Sequence, residues 1–170
     1  MADNYLETKM EEHRQRASAP APKKVFHESL DNLVLKNRSY RAFRQDAPVT
    51  KEDFLKMISL CTKISSARNR QGLRYRFVTG VQAQRLTPVL FFGGYSAGET
   101  GPHEGKNPPA YIIIYSHLPH ERQSGWVDVG IAAQTILLKA TEMGFGGVMM
   151  MAFVPEKITA ALDGETLLED

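Results

Sequence analysis

The residues best equipped for chemistry lie in two short polar runs. In RSYRAF, Arg38, Ser39 and Arg41 set two guanidiniums and a hydroxyl at i, i+1 and i+3, just where a helix is expected to have ended. Forked N–H donors in that pattern can converge on a phosphate; two exposed arginines beside a turn are the plainer reading. In SARNRQ, Ser66, Asn69 and Gln71 offer donors and acceptors together, which suits the edge of a planar heterocycle carrying both C=O and N–H groups. An Asx-type turn that satisfies its own backbone is the alternative there.

Other reactive types make weaker cases. His117, His120 and Glu121 have Pro119 among them and no second cluster elsewhere, so a strand-end loop explains them better than a metal site. Cys61 falls on the apolar stripe of an expected helix and reads as core. The sequence contains no GxxxxGK[ST], GxSxG or GxGxxG motif, and Met149, Met150 and Met151 read as strand filling.

These runs need elements to hold them, and the strongest is DVGIAAQTILLKATEMGFGGVMMMAF, residues 128–153. Asp128 has the character of an N-cap, and Val129, Ala132, Ala133, Ile136, Leu137, Ala140 and Met143 recur at helical spacing. Gly144 supplies a left-handed C-terminal cap, and after Gly146 and Gly147 the run Val148–Met151 has the length and composition of a buried strand. Such a helix, mixing Ala, Thr and Met, can pack closely on its own chain or form a dimer seam.

Upstream, residues 2–16 can form a helix with Tyr5, Leu6 and Met10 on one side, followed by a Pro/Ala linker at 18–24. Residues 1–25 therefore read as a tail, and 26–170 as a single domain. Ser29 should cap a helix ending near Asn37. Thr50 with Asp53 suggests a capping box before a helix whose stripe is Phe54, Leu55, Ile58, Cys61 and Ile64. LRYRFVTG alternates like a half-buried strand, residues 82–91 are weakly helical with a break at Pro88, and Phe92–Pro109 is a long Gly-rich loop. AYIIIYS, residues 110–116, is apolar on both faces and so central, and Pro155 opens a last short helix through Ile158 and Leu162. Helices first, then strands interleaved with helices, predict an α+β sandwich around a small sheet.

Composition narrows the class. At 170 residues the chain has the size of one domain with a real core. No apolar run approaches the roughly 20 residues that span a bilayer, the charged N-terminus lacks a secretion signal's apolar centre, and one cysteine excludes an internal disulfide, so the cytoplasm is expected. Residues 36–85 hold 12 Lys/Arg against 3 Asp/Glu, whereas residues 86–170 hold 4 against 10. The basic part suits nucleic acid, a small phosphorylated ligand, or simply solvated faces.

Taken together, these positions resemble the nitroreductase family of flavin enzymes. RSYRAF at 38–43 resembles its R-S-x-R-x-F phosphate motif, SSARNRQGLRYRFV at 65–78 its P-S-x-x-N-x-Q-P loop and following strand, and residues 128–147 its central helix and glycine turn. Asn37, Ser65, Gly72 and Leu73 depart from the usual pattern. The resemblance implies a three-layer α+β sandwich whose central mixed, mainly antiparallel sheet is flanked by helices. It also implies a homodimer with FMN at the interface, and ping-pong reduction of a nitroaromatic, quinone or similar acceptor by NAD(P)H. Arg38, Ser39 and Arg41 would hold the phosphate, Ser66, Asn69 and Gln71 would lie beside the ribityl chain and ring, and backbone at Gly146 and Gly147 would approach the flavin. No catalytic side chain is implied, because the flavin carries the hydride chemistry. Family members usually continue into a further strand and a partner-embracing arm, expected to be absent here since the sequence stops at Asp170. A flavin-binding protein without turnover, or a basic nucleic-acid module, is the competing reading; nucleic acid and membrane are not expected partners under the first.

Overall fold

The computed structural model describes residues 28–93, 101–102, 104–116 and 123–162. The expected N-terminal helix and linker, His117, His120, Glu121 and the middle of the Gly-rich loop lie outside them.

Helix α1 (Leu30–Lys36) starts at Ser29, whose hydroxyl accepts the Asn32 N–H at 3.3 Å. Helix α2 (Lys51–Ile58) starts with the expected capping box: Thr50 Oγ1 accepts from the Asp53 N–H and Asp53 from the Thr50 N–H. The Thr50 bonds hold the Asp53 carboxyl below its ordinary range. The apolar stripe is narrower than the sequence suggests. Phe54 and Met57 are buried and Leu55 is exposed, while Ile58 and, in a 3-10 turn over Ser59–Thr62, Cys61 are half-buried against Met57 and its neighbours.

Strands β1 (Leu73–Thr79) and β2 (Ala110–Ser116) pair antiparallel, with Leu73 opposite Ser116 and Thr79 opposite Ala110. Helix α3 (Gly80–Leu86), ending in a 3-10 turn at Thr87–Val89, follows β1. The long helix α4 (Gln123–Glu142) follows β2, and α5 (Pro155–Ala161) comes last.

Period-two alternation divides the core in two. Val78 and Tyr111 join Ala83, Leu86, Leu90, Phe92, Ile158 and Leu162 on the α3/α5 side, with Ile113 packed against them. Tyr75, Ile112 and Ile114 pack against Met57, Ile136 and Ala140 on the α2/α4 side, where Phe54 and Phe77 also stack with centroids 4.9 Å apart. The ribbon is thus covered on both faces, and α3/α5, β1/β2 and α2/α4 form the three layers expected of this α+β sandwich. Buried on one of those faces, the Tyr111 hydroxyl, 2.7 Å from Thr87 Oγ1, is pushed up to about 12.

Two expectations change. Asp128 is no N-cap: α4 begins at Gln123, and Asp128 sits inside it. Val148–Met151 is not a buried strand. It is extended, with Val148 and Met150 packed on the α3/α5 core while Met149 and Met151 are exposed. Its flanks form isolated bridges, Gly147 parallel to Ser39 and Phe153 antiparallel to Leu90. The C-terminal end of α4 does follow the sequence. Gly144 has φ +85°, its N–H donates to the Thr141 carbonyl at 3.0 Å, and the Phe145 N–H donates to the Ala140 carbonyl at 2.8 Å. These are the two bonds of a Schellman cap.

Candidate functional site

The RSYR segment leaves α1 in extended conformation and runs beside the glycine turn after α4. Besides the Ser39–Gly147 bridge, the Tyr40 N–H donates to the Gly147 carbonyl at 3.1 Å. Two motifs more than a hundred residues apart in sequence are therefore joined directly. The Tyr40 hydroxyl donates back to the Lys36 carbonyl at 3.0 Å.

Arg38 is exposed. Arg41 is partly buried: its Nε donates to the Phe92 carbonyl and one terminal nitrogen to the Ser39 carbonyl, both at 3.2 Å. A guanidinium has five N–H donors, so these bonds orient its plane. Further along, the Phe43 N–H donates to the Lys106 carbonyl at 3.1 Å and Gln45 Nε2 to the Asn107 carbonyl. One segment thereby fastens both ends of the chain between Phe92 and Lys106.

The glycines have a packing reason. A Cβ on Gly146 would stand 2.7 Å from Cδ2 of the Tyr40 ring, and one on Gly147 would stand 2.6 Å from Leu137 Cδ2. The second neighbour is the tip of a flexible side chain and yields more easily. The turn is glycine because the chain itself approaches it closely, independently of any ligand.

Loop 66–71 is held differently. The Ala67 N–H donates to both carboxylate oxygens of Asp128, at 2.9 and 3.2 Å, while Ser66 Oγ accepts the Gln71 N–H at 3.1 Å. Arg68, Asn69 and Gln71 have φ of +57°, +53° and +49°. The left-handed region costs a non-glycine residue roughly 1–2 kcal/mol, and such strain concentrates where surrounding structure over-determines the backbone. At the loop's base the Tyr75 hydroxyl hydrogen-bonds Cys61. Burial pushes the Cys61 thiol up, in keeping with a core cysteine, and raises the Tyr75 hydroxyl as well.

A cavity of about 1520 Å³ opens between these parts. Tyr40, Ala67, Arg70, Asp128, Gly146 and Gly147 are in its wall. Of the expected site residues, the two glycines line it; Arg38, Ser39, Arg41, Ser66, Asn69 and Gln71 belong to the segments at its edge and do not. Lys36 and Arg44 also line it, paired with Glu28 at 2.5 Å and with Asp46 at 2.6 Å. Asp128 is the sole carboxylate among its described lining residues. Tyr40 and Arg70, unremarked inside the two polar runs, and Asp128, expected only as an N-cap, are the polar residues that those motifs and α4 add to the wall. Among the described residues no His/Cys/Asp/Glu group is arranged to hold a metal, and no helix is long and apolar enough to cross a membrane.

The joined glycine turn and RSYR segment, beside a loop of left-handed polar residues and under a three-layer α+β frame, define a class. The Nitroreductase family model matches residues 34–166, and the chain belongs to that family. Its fold is shared with a nitroreductase family protein from Clostridium novyi NT, at 21% identity and TM-score 0.66 over 82% of this chain and 78% of that one. It is also shared with a variant of the FMN and NADPH-dependent nitroreductase NfnB from sphigopyxis sp. strain HMH, at 17% identity and TM-score 0.63 over 80% and 81%. A Streptococcus pneumoniae TIGR4 family protein aligns at 16% identity and TM-score 0.61 over 79% and 82%. No curated protein gave a significant match.

Proposed function

We propose that the chain is an FMN-dependent oxidoreductase that uses NAD(P)H to reduce nitroaromatic, quinone or similar acceptors by a ping-pong mechanism, as a cytoplasmic homodimer with the cofactor at the interface. The observation that carries this reading is the Ser39–Gly147 bridge, which brings the phosphate-type segment against the glycine turn at the wall of the cavity.

The residues present fit such a group. Arg38 and Arg41 would take the phosphate with Ser39, and Ser66, Asn69 and Gln71 would face the ribityl chain and ring. The cavity wall that the glycine turn, Tyr40, Arg70 and Asp128 share is mostly apolar with a few polar groups, the lining usual for a ligand site. FMN supplies the hydride chemistry when bound; the protein binds, orients and keeps water away. NAD(P)H and the acceptor would occupy the remaining space in turn. A dimer is supported by large apolar side chains left exposed around the cavity, among them Trp126, Met149, Met151 and Phe153.

Replacing Arg38 and Arg41 together by Ala should weaken FMN binding by several kcal/mol, because charge-assisted hydrogen bonds contribute roughly 1.5–3 kcal/mol each. Fluorescence titration of flavin reads this directly, and unchanged affinity would sink the assignment. Anaerobic addition of NADH or NADPH to the FMN-loaded protein should bleach the flavin bands; bands that persist would instead support a flavin carrier without turnover.

A further inference from the structure

We infer that Asp128 is a positioning residue for the ligand: its carboxylate holds loop 66–71 in the strained form that presents Ser66, Asn69 and Gln71 to the flavin. This rests on the cofactor reading above and adds to it a residue that touches the loop rather than the cofactor.

An aspartate inside α4 does nothing for the helix itself. The residue is poorly placed there by propensity, and it lies beyond the N-terminal turn where a negative charge is favoured. Its side chain instead leaves the helix and crosses to the loop, where both oxygens accept the one N–H of Ala67. The three left-handed residues follow at once: Arg68, Asn69 and, one residue further on, Gln71.

None of these is glycine; Asn69 tolerates the left-handed region, but Arg68 and Gln71 are held there against their preference. The contacts that oppose this strain are few. Within the loop, Ser66 Oγ accepts the Gln71 N–H, the Asn69 N–H donates to the Ser66 carbonyl at 2.9 Å and the Arg70 N–H to the Ala67 carbonyl at 3.2 Å; Arg74 on β1 donates to the Gln71 carbonyl at 3.3 Å. The Asp128 contact ties it to the rigid central helix, a charge-assisted bond of the stronger kind. Asp128 also lines the cavity while the three polar residues stand at its edge. Releasing the carboxylate therefore frees the loop at the point where the ligand must find it ordered, and pre-organisation of that sort appears directly in affinity.

The test compares wild type, Asp128→Ala and Asp128→Asn in two measurements. The first needs no ligand: brief trypsin digestion of the folded protein, following cleavage after the exposed Arg68 and Arg70. Asp128→Ala should be cut there at least tenfold faster, and Asp128→Asn, whose amide oxygen still accepts the N–H, within about threefold of wild type. The second is titration with FMN and with riboflavin, which lacks the phosphate. Asp128→Ala should lose tenfold or more for both flavins, well below its melting temperature, and Asp128→Asn should recover most of it. By contrast, the double arginine variant should lose FMN and keep riboflavin.

Unchanged cleavage in Asp128→Ala overturns the inference outright. So does a lowered melting temperature with unchanged flavin affinity, which would make Asp128 purely structural. A loss confined to FMN would put the loop at the phosphate and also overturn it. If wild type itself refuses FMN, the cofactor reading falls and takes the ligand part of this inference with it; wild-type binding with an indifferent Asp128→Ala removes the inference alone.

Discussion

Segment 38–45 and loop 66–71 are both irregular and arginine-rich, and both border one cavity, yet they are built on different principles. The first has no residue in the left-handed region and is fixed at several points: main-chain bonds to Gly147 and Lys106, and side-chain bonds from Arg41 to Phe92 and from Gln45 to Asn107. The second carries three left-handed non-glycine residues and is tied to α4 through one side chain. Contacts spread over several points survive most single substitutions, because no one side chain carries them all. A strained turn tied to its helix by one carboxylate is more sensitive to a single change. A site assembled from both has a durable anchor and a sensitive edge.

The largest effect that could break this contrast lies at the anchor. Gly146→Ala should destabilise the protein by about 1–3 kcal/mol, the usual cost of overpacking, through the Tyr40 ring. In a Tyr40→Ala background the same change should cost much less, and denaturant unfolding of the four proteins in that cycle isolates the pair. Equal costs in both backgrounds would mean that Tyr40 is not the reason for the glycine.

A smaller effect, of opposite sign in the two regions, sharpens the comparison. Arg68→Gly relieves roughly 1–2 kcal/mol of left-handed strain against about 0.4–1 kcal/mol of added unfolded-state freedom. The protein should therefore gain about 0.5–1 kcal/mol. Ser39→Gly relieves nothing and should lose about 0.5–1 kcal/mol. Both are read from the urea midpoint of ligand-free protein, and a matching sign would erase the distinction.

The smallest effect concerns the base of the loop. Because burial raises the Cys61 thiol, it stays protonated in the folded state after an unfolded thiol has begun to ionise near pH 8.5. The stability it contributes is complete below the unfolded value and is lost as pH rises through the folded one. Alkylation at pH 8 should accordingly be slower than that of a free thiol in urea; equal rates would mean that the base of the loop is open.

Much of this was legible in the sequence where the cause is local. Caps at Ser29 and Thr50, the Schellman glycine at Gly144 and the two-faced apolar strand at Ala110–Ser116 each depend on residues within a few positions. The failures share the opposite property. Asp128 before an apolar run looks like a cap, and nothing nearby shows that the helix begins five residues earlier or that the carboxylate serves Ala67. Arg68 and Gln71, unlike Asn69, give no sign of positive φ, since the contact that holds the loop comes from a residue some sixty positions away. Val148–Met151 looks buried by composition, whereas burial depends on which elements come to cover it. Gly146 and Gly147 suggest a ligand, but the Tyr40 ring already calls for glycine at 146 and Leu137 crowds 147 more softly.

The fastening of both ends of the 92–106 connection by segment 41–45 bears on how this protein can change over generations. With its ends fixed, the cost of closing that stretch should depend only weakly on its length, since doubling a loop adds only about 0.6 kcal/mol of closure entropy. The anchors at Arg41, Phe43 and Gln45 would not register the change. Variation is thereby channelled into a replaceable module while the frame beneath it stays constant, and a library randomised between those two ties should yield mostly folded proteins.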